Sequence, residues 1–388
     1  MGDLLFLAHR VPYPPDRGDK IRSYHILKHL AERHRVHLAT FADDEADEAA
    51  AEHLRPLVAK MHVERRTRTR GAAAALALAT RSSVSVKAFA SKGMSAFIDR
   101  VLADEPIDRL YVFSSQMAQY APDDRPFMMD FVDMDSEKFA SYGDTATPPM
   151  RWMWQREARR LFHFERETAR RAVVSLFVSE AEAALFRDRA KMSAERVQVL
   201  ENGIDLESYR PAPHEAGATP LIVFTGQMDY PPNIEAADGF AREAMPAIRA
   251  AHPGARFAIV GRKPDPSLSG LGEGIEVTGE VADVRPWLTQ ADVVVAPLRI
   301  ARGIQNKVLE AMAMGRPVVA SPQAFEGIDA EPGRDLIVAD AEQAAAVSAL
   351  LADPARAEAI GAAARRQVEA RYAWAARLAP LDAMLAHI

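Results

Sequence analysis

Residues 291–321 read ADVVVAPLRIARGIQNKVLEAMAMGRPVVAS, and this stretch decides the fold. Residues 293–296 form a short β-branched apolar run of the kind that makes a strand buried on both faces. A helix is expected to open at Gly303 and to run through about Met314. Gly315 suits the left-handed position that follows a helix, and Pro317 ends the helix firmly. Residues 318–320 read as the next strand. Strand, helix, strand is the unit from which open parallel α/β sheets are built.

Outward from this stretch the same alternation covers nearly the whole chain. Towards the C-terminus a strand is expected at 336–338. Towards the N-terminus strands are expected at 275–277, 257–260 and 221–225, and, beyond an interruption, at 197–200, 173–178, 127–132, 110–113, 36–41 and 4–8. Helices fill the gaps, for example 20–33 and 151–171. The interruption, 205–220 (DLESYRPAPHEAGATP), carries Pro211, Pro213 and Pro220 and no apolar periodicity, so it reads as an inter-domain linker. The expected organisation is therefore α/β, with two doubly wound Rossmann-like domains, 1–207 and 208–371, facing a central cleft. The segments 355–371 and 373–388 read as helices, and the tail 372–388 is expected to cross back onto the first domain. Ligands of such sheets sit outside the carboxyl ends of the strands.

Composition bounds the function. A chain of 388 residues exceeds what one core usually organises. Its net charge of −6 does not favour nucleic acid as a partner. With no cysteine, disulfides, thiolate nucleophiles and Cys-based zinc sites are excluded. No run reaches the ~20 apolar residues of a membrane span, and the N-terminus lacks the pattern of a signal peptide. A cytoplasmic location is the expectation.

The helix expected after residue 296 starts at the carboxyl end of a strand. Free backbone N–H groups and the helix dipole at such a start hold phosphate, and Gly303 allows close approach of a ligand. Lys307 and Glu310 are three residues apart and share a face. A cation and a carboxylate placed so suit a nucleotide sugar: Lys307 for the pyrophosphate and Glu310 for two ribose hydroxyls. The plain alternative is a surface ion pair.

With these residues in view, the chain resembles the family 4 retaining glycosyltransferases, which have the GT-B fold. It looks closest to bacterial sugar transferases associated with exopolysaccharide and exosortase (PEP-CTERM) systems. The matching pieces are PYPPDRGDKIR (12–22), DFVDMDSEKF (130–139), NGID (202–205), FTGQMDYPPNIEA (224–236), FAIVGRKP (257–264), VTGEVADVRPWLTQADVVVAPL (277–298) and GIQNKVLEAMAMGRPVVAS (303–321). The resemblance implies a metal-independent hexosyltransferase with no cofactor. It would move a sugar from a UDP- or GDP-sugar to a hydroxyl of a glycan or lipid-linked acceptor, in exopolysaccharide or cell-surface glycan synthesis.

The resemblance also implies site residues. Glu310 matches the glutamate that binds the donor ribose. The family pattern is Glu-x7-Glu, and Arg302 stands at the first position, so sugar positioning must differ. The backbone N–H groups of Gly303, Ile304 and Gln305 are possible substitutes, while Arg302 reaches phosphate or a carboxylated sugar, or is a solvated loop charge. The Arg and Lys that many members carry after the first strand of the second domain are absent from GQMDYPPN, which makes Lys307 the replacement. Gly226 belongs near the donor phosphate or sugar, and Arg262 and Val277 near the base. Gly18 resembles the glycine loop that approaches the donor phosphates or the acceptor across the cleft. Asp16, Lys20, Arg22 and Asp135 are expected at the acceptor.

Asp133 is expected to polarise the acceptor hydroxyl, with Lys307 and Glu310 completing the catalytic set. Asp133 and Asp135 also match the Asp-x-Asp of a metal-dependent fold, but the two-domain layout argues for the metal-free one; an N-cap role for Asp135 or Ser136 is the plain alternative. In a retaining enzyme of this type the leaving phosphate oxygen helps to take the acceptor proton.

Two basic stretches, 64–70 (ERRTRTR) and 151–171 (RWMWQREARRLFHFERETARR), read either as contacts to an anionic membrane at the inner face of the plasma membrane or as surface helices whose aromatics pack inward. Two other functions remain open: a nucleotide-sugar epimerase of the same fold, and a non-catalytic nucleotide-sugar-binding protein.

Overall fold

The computed structural model describes residues 2–213, 217, 219–301 and 304–386. They divide into two compact units: residues up to Asn202 together with those from Leu378 onward, and Gly203–Arg377.

The first unit is built on a seven-stranded parallel sheet. Its strands are β1 (Asp3–Ala8), β2 (Arg35–Ala42), β3 (Lys60–Arg65), β4 (Ile107–Phe113), β5 (Met128–Val132), β6 (Val174–Phe177) and β7 (Val197–Val199), in the order β3-β2-β1-β4-β5-β6-β7. β1 is buried along its whole length and pairs with β2 on one side and β4 on the other. Apolar side chains on both faces account for its run LLFLA after Asp3. β3 is not among the expected strands. Its sequence KMHVER alternates charge with Met61 and Val63, as suits the half-buried edge it occupies.

The second unit holds a six-stranded parallel sheet. It comprises β8 (Leu221–Thr225), β9 (Arg256–Val260), β10 (Ile275–Gly279), β11 (Val293–Ala296), β12 (Val318–Ala320) and β13 (Ile337–Val338), in the order β10-β9-β8-β11-β12-β13. Strand order reverses between β8 and β11. That switch point leaves a crevice outside the carboxyl ends of the two strands.

The helix between β11 and β12 is Asn306–Ala313, so it begins three residues later than the sequence reading placed it. Gln305, with extended backbone, occupies the N-cap. Gly315 has φ +67 and Arg316 N–H returns to the Ala311 carbonyl, the left-handed ending that glycine permits.

Two expected acceptor contacts, Arg22 and Lys20, are buried and paired within the first unit. Arg22 is fully buried. Its guanidinium reaches Asp130 at 3.0 Å, the Leu200 carbonyl at 2.6 Å and Asn202 Oδ1 at 2.9 Å, and Tyr111 donates to the same carboxylate at 2.7 Å. Lys20 is buried too, with Nζ 2.6 Å from Asp47. Both cations face partners of their own unit, because a buried charge must be paired.

Candidate functional site

The crevice of the second unit is assembled from four chain segments. β8 ends at Thr225 and the chain turns through Gly226, whose N–H donates to the Val260 carbonyl at 3.0 Å. Gly261, after β9, packs directly on this turn. A Cβ there would lie 1.6 Å from the Gly226 oxygen, so only glycine fits. The helix Pro231–Gly239 follows, with proline in its first turn and Asn233 buried beneath. Asn233 Nδ2 donates to the Gln227 carbonyl at 2.8 Å, which fixes the side-chain amide and aims Oδ1 at Lys307.

Lys307 lies in the first turn of Asn306–Ala313. Its Nζ donates to Asn233 Oδ1 at 2.6 Å and lies 4.5 Å from the centroid of the Phe224 ring. Burial pulls the ammonium down to about 8, with the charge of Glu310 opposing that shift. A Cβ on Gly226 would come within 3.0 Å of Lys307 Nζ, so the turn and the ammonium share one small space. The absence of a side chain at 226 keeps that space open.

Glu310, one turn on, is raised by burial, against a hydrogen bond from Tyr209 and the charge of Lys307. Tyr209 is itself positioned: its carbonyl accepts from Arg365 at 2.6 Å, and the same guanidinium nitrogen donates to the Ala313 carbonyl at 2.7 Å. One arginine thus ties the tyrosine's backbone to the end of the helix that carries Glu310. A cation, a carboxylate and an open glycine turn at a sheet's switch point can hold a diphosphate and a vicinal diol.

The other expected donor residues are spread around this centre. Arg262 is exposed and donates to Gln227 Oε1 at 2.9 Å. Val277 is half-buried on β10, beside Ile259 of β9. Ile304 packs against the core, and the Gln305 carbonyl accepts from Val308 N–H at 3.0 Å. Arg302 and Gly303 lie outside the described residues. Asn233, Phe224 and Tyr209 were not among the expected residues. The first two lie in the quoted segment 224–236, Phe224 at a strand end and Asn233 in the first turn of the helix that follows, and that position was the available signal. Tyr209 lies in the stretch taken for a linker.

In the first unit Gly18 is exposed and opens the helix Gly18–Ala31, with nothing within 4 Å of where a Cβ would stand; Asp16 is exposed beside it. Asp19 is desolvated, yet hydrogen bonds from His9 and Arg10 hold its carboxyl well below the usual range. Asp133 and Asp135 follow β5. The strands on either side of this corner end in strained backbone: Ser114, after β4, has φ +73, and Val132, ending β5, has φ +69. Such conformations in residues other than glycine concentrate at functional sites.

Asp133 reaches solvent, and its carboxyl is raised by partial desolvation and by the neighbouring carboxylates Glu182 and Asp135. Asp135 is the first residue of the helix Asp135–Thr145 and accepts from Gln116 at 3.2 Å. Neither Asp135 nor Ser136 caps that helix. Instead Glu182 takes the Met134 N–H at 2.8 Å and Glu165 takes the Ser136 N–H at 3.2 Å. Burial pushes the Glu165 carboxyl up to about 8.

A cluster with metal-ligand spacing, Asp3, His37 and Glu105, is bridged by Arg35, whose Nη1 lies 2.7 Å from Asp3 and 2.8 Å from Glu105. A cation is already in place there.

Residues 219–353 match the family model described as glycosyl transferases group 1, and that region contains Gly226, Asn233, Lys307 and Glu310. The chain is similar to the phosphatidyl-myo-inositol mannosyltransferase of Propionibacterium freudenreichii subsp. shermanii. The two are 32% identical over 131 residues, which cover 32% of each chain. It is also similar to the GDP-mannose-dependent monoacylated alpha-(1-6)-phosphatidylinositol monomannoside mannosyltransferase of Corynebacterium glutamicum. Here identity is 29% over 201 residues, covering 45% of this chain and 52% of the relative. The chain therefore spans from a third to about half the length of these curated relatives. Among solved structures, Anabaena HepE in complex with UDP and glucose superposes with a TM-score of 0.63, at 16% identity, over 100% of both chains.

The fold is GT-B. Both parallel Rossmann-like sheets expected from the sequence are present.

Proposed function

We propose that the protein is a retaining glycosyltransferase that moves a hexose from a nucleoside-diphosphate sugar to a hydroxyl of a glycan or lipid-linked acceptor. The observation that carries this reading is the placement of Lys307 and Glu310 three residues apart on one helix, with the Lys307 ammonium against the open turn at Gly226. In this reading Lys307 neutralises charge on the diphosphate as it leaves, and the start of the helix adds N–H groups to the same task. Glu310, fixed by Tyr209, accepts from the ribose hydroxyls. Asp133, whose raised carboxyl suits exchange of a proton, polarises the acceptor hydroxyl, and Asp16, Gly18 and Asp135 contact acceptor or donor. The leaving phosphate oxygen takes the acceptor proton, so no covalent intermediate with the protein is needed, and positioning supplies most of the rate.

Both UDP and GDP are in scope as the nucleotide: HepE was solved with UDP, and the Corynebacterium relative is GDP-mannose-dependent. The named mannosyltransferases act on phosphatidylinositol lipids, which supports a lipid-linked acceptor. Synthesis of exopolysaccharide or another surface glycan is the process in which such a product belongs.

The long basic helix of the first unit, Met150–Arg171, supports contact with an anionic membrane. Trp152 and Met153 stand 65% and 47% exposed beside the exposed Arg151, and Leu78 is 62% exposed on a separate helix. Its other aromatics turn inward: Trp154 stacks on Phe139, and Phe162 packs against Phe186. Among the described residues no helix is long and apolar enough to cross a membrane.

The test is acceptor-dependent turnover. The protein is incubated with UDP-glucose or GDP-mannose, with and without a bacterial lipid extract, and free UDP or GDP and labelled lipid are measured. Release of nucleotide and label transfer only with acceptor are the expected result. Epimerisation of the donor alone, or donor binding without turnover across an acceptor panel, would overturn it.

A further inference from the structure

The helix Met150–Arg171 carries two buried glutamates, Glu157 and Glu165, 4% and 1% exposed. Each takes backbone N–H groups at the start of another helix. Glu157 fills both its oxygens. Oε1 accepts from the Ser83 hydroxyl at 2.6 Å and the Ser85 N–H at 2.8 Å, and Oε2 accepts from the Val84 N–H at 2.8 Å. Glu165 is less well supplied. Oε1 accepts from the Ser136 N–H at 3.2 Å, and Oε2 is buried with no hydrogen bond of good geometry among the described residues.

Two charged groups face Glu165 from the elements packed against it, and neither pairs with it. Asp135, on the helix Asp135–Thr145, is of like charge. Arg189, on the helix Glu180–Ala190, is engaged by Glu137 and lies over the Phe162 ring, 5.0 Å from its centroid. A buried carboxylate with no cation bonded to it is costly, so the group keeps its proton. The rise to about 8, caused first by burial, agrees with this.

The turn that Glu165 holds is the one that presents Asp133. It leaves β5 through Val132, at φ +69, and three carboxylates or carboxyls pin its N–H groups: Asp130 takes that of Val132 at 3.0 Å, Glu182 that of Met134 at 2.8 Å, and Glu165 that of Ser136. A strained turn persists when its surroundings over-determine it. We propose that Glu165 is a positioning residue that works as a neutral acid: uncharged, it holds the Ser136 N–H and so fixes the turn that carries Asp133. This rests on the acceptor role given to Asp133 under the proposed function. Ionised beside Asp135, the same group would have to reach water, and the start of the helix would open with it.

Glu165→Gln tests the protonation state, because the amide keeps an acceptor for Ser136 and cannot ionise. The glutamate ionises near its ordinary 4.5 in the unfolded chain and near 8 in the folded one. Its contribution to stability is whole below 4.5 and is lost as pH rises to about 8. In urea unfolding of the first unit between pH 5 and 8, the unfolding constant of the wild type is expected to rise relative to that of Glu165→Gln by up to about tenfold per pH unit. Lys307 is common to both proteins and cancels. A ratio that stays flat would overturn the neutral-acid claim.

Glu165→Leu tests positioning. Amide hydrogen exchange at 133–136 is expected to be about tenfold faster than in the wild type. The kcat at saturating donor should fall about tenfold, with KM for donor unchanged, and Glu165→Gln should restore both readouts. The exchange measurement needs no turnover, so a wild type that transfers no sugar would sink the transferase reading alone. Wild-type exchange in folded Glu165→Leu would overturn the positioning role. Should that variant fail to fold, the urea series on Glu165→Gln decides.

Discussion

Lys307 Nζ stands 2.6 Å from Asn233 Oδ1, the side-chain oxygen of a residue on a different helix whose own amide is pinned to the Gln227 carbonyl. The ammonium is therefore held in one place before any ligand arrives, and the Phe224 ring shields its other side. Preorganised charge of this kind does not have to be ordered on binding. Replacing Lys307 by Met keeps the unbranched apolar stem and removes the charge. Affinity for UDP or GDP is expected to fall by about 1.5–3 kcal/mol, roughly 10–150-fold, by calorimetry, with the fold retained.

The pH dependence follows from the same group. The folded value of Lys307, about 8, lies below its ordinary 10.5. As pH rises through about 8 the free protein loses the ammonium, so diphosphate affinity should decline above that point, and Lys307→Met should show no such decline. For stability the sign is opposite. Between about pH 8 and 10.5 the unfolded chain carries a proton that the folded chain lacks, so this group's contribution to stability increases across that window. Titrations at pH 7, 8 and 9 check the first statement, and urea melts at pH 8 and 10 the second.

In the proposed donor site Tyr209 would act on the nucleotide through Glu310, to which it donates a hydrogen bond. Tyr209→Phe removes the hydroxyl that donates to the buried carboxylate and should weaken nucleotide binding by about 1 kcal/mol, roughly fivefold. Glu310→Gln should cost more, and adding Tyr209→Phe to it should cost little further. A full additive loss in this double-mutant cycle would show that the two residues act independently.

The two glycines of the turn separate fold from function. Gly261→Ala drives a Cβ into the Gly226 carbonyl, against rigid backbone, and should cost at least about 3 kcal/mol of stability, the upper end of ordinary overpacking, or prevent folding. Gly226→Ala meets only the ends of the Asn233 and Lys307 side chains, at 2.9 and 3.0 Å. It should fold, displace the ammonium and lose nucleotide affinity. Thermal melts and calorimetry distinguish the two outcomes.

Arg22→Leu leaves Asp130 as an unpaired buried carboxylate and should destabilise the first unit by about 3–5 kcal/mol in urea unfolding. At a temperature where the variant is folded, KM for acceptor should be unchanged, since the guanidinium does not reach the surface.

The strand–helix–strand reading of 291–321 was legible because each strand there is an unbroken β-branched run and Gly315 and Pro317 mark the helix end. β3 was not legible: an edge strand with one wet face has no apolar run to show. The buried pairing of Lys20 and Arg22 was not legible for a related reason. Their partners, Asp47 and Asp130, lie 27 and 108 residues away, and a charged residue whose partner is distant in sequence looks like a surface charge. Lys307 and Glu310 stand out in the sequence because they are close together and share a helix face. Asn233 and Tyr209, which hold them, could not, because their role exists only once four segments have folded together.

The central claim is that a nucleoside diphosphate is held by Lys307 and Glu310. Its most direct test is calorimetric titration of UDP and of GDP into the wild-type chain and into the double variant Lys307→Met, Glu310→Gln. The account predicts that at least one nucleotide binds the wild type one to one, and that the double variant, with an unchanged melting profile, binds it about a hundredfold more weakly or worse. Failure of both nucleotides to bind the wild type, or equal affinity for the folded double variant, would contradict it.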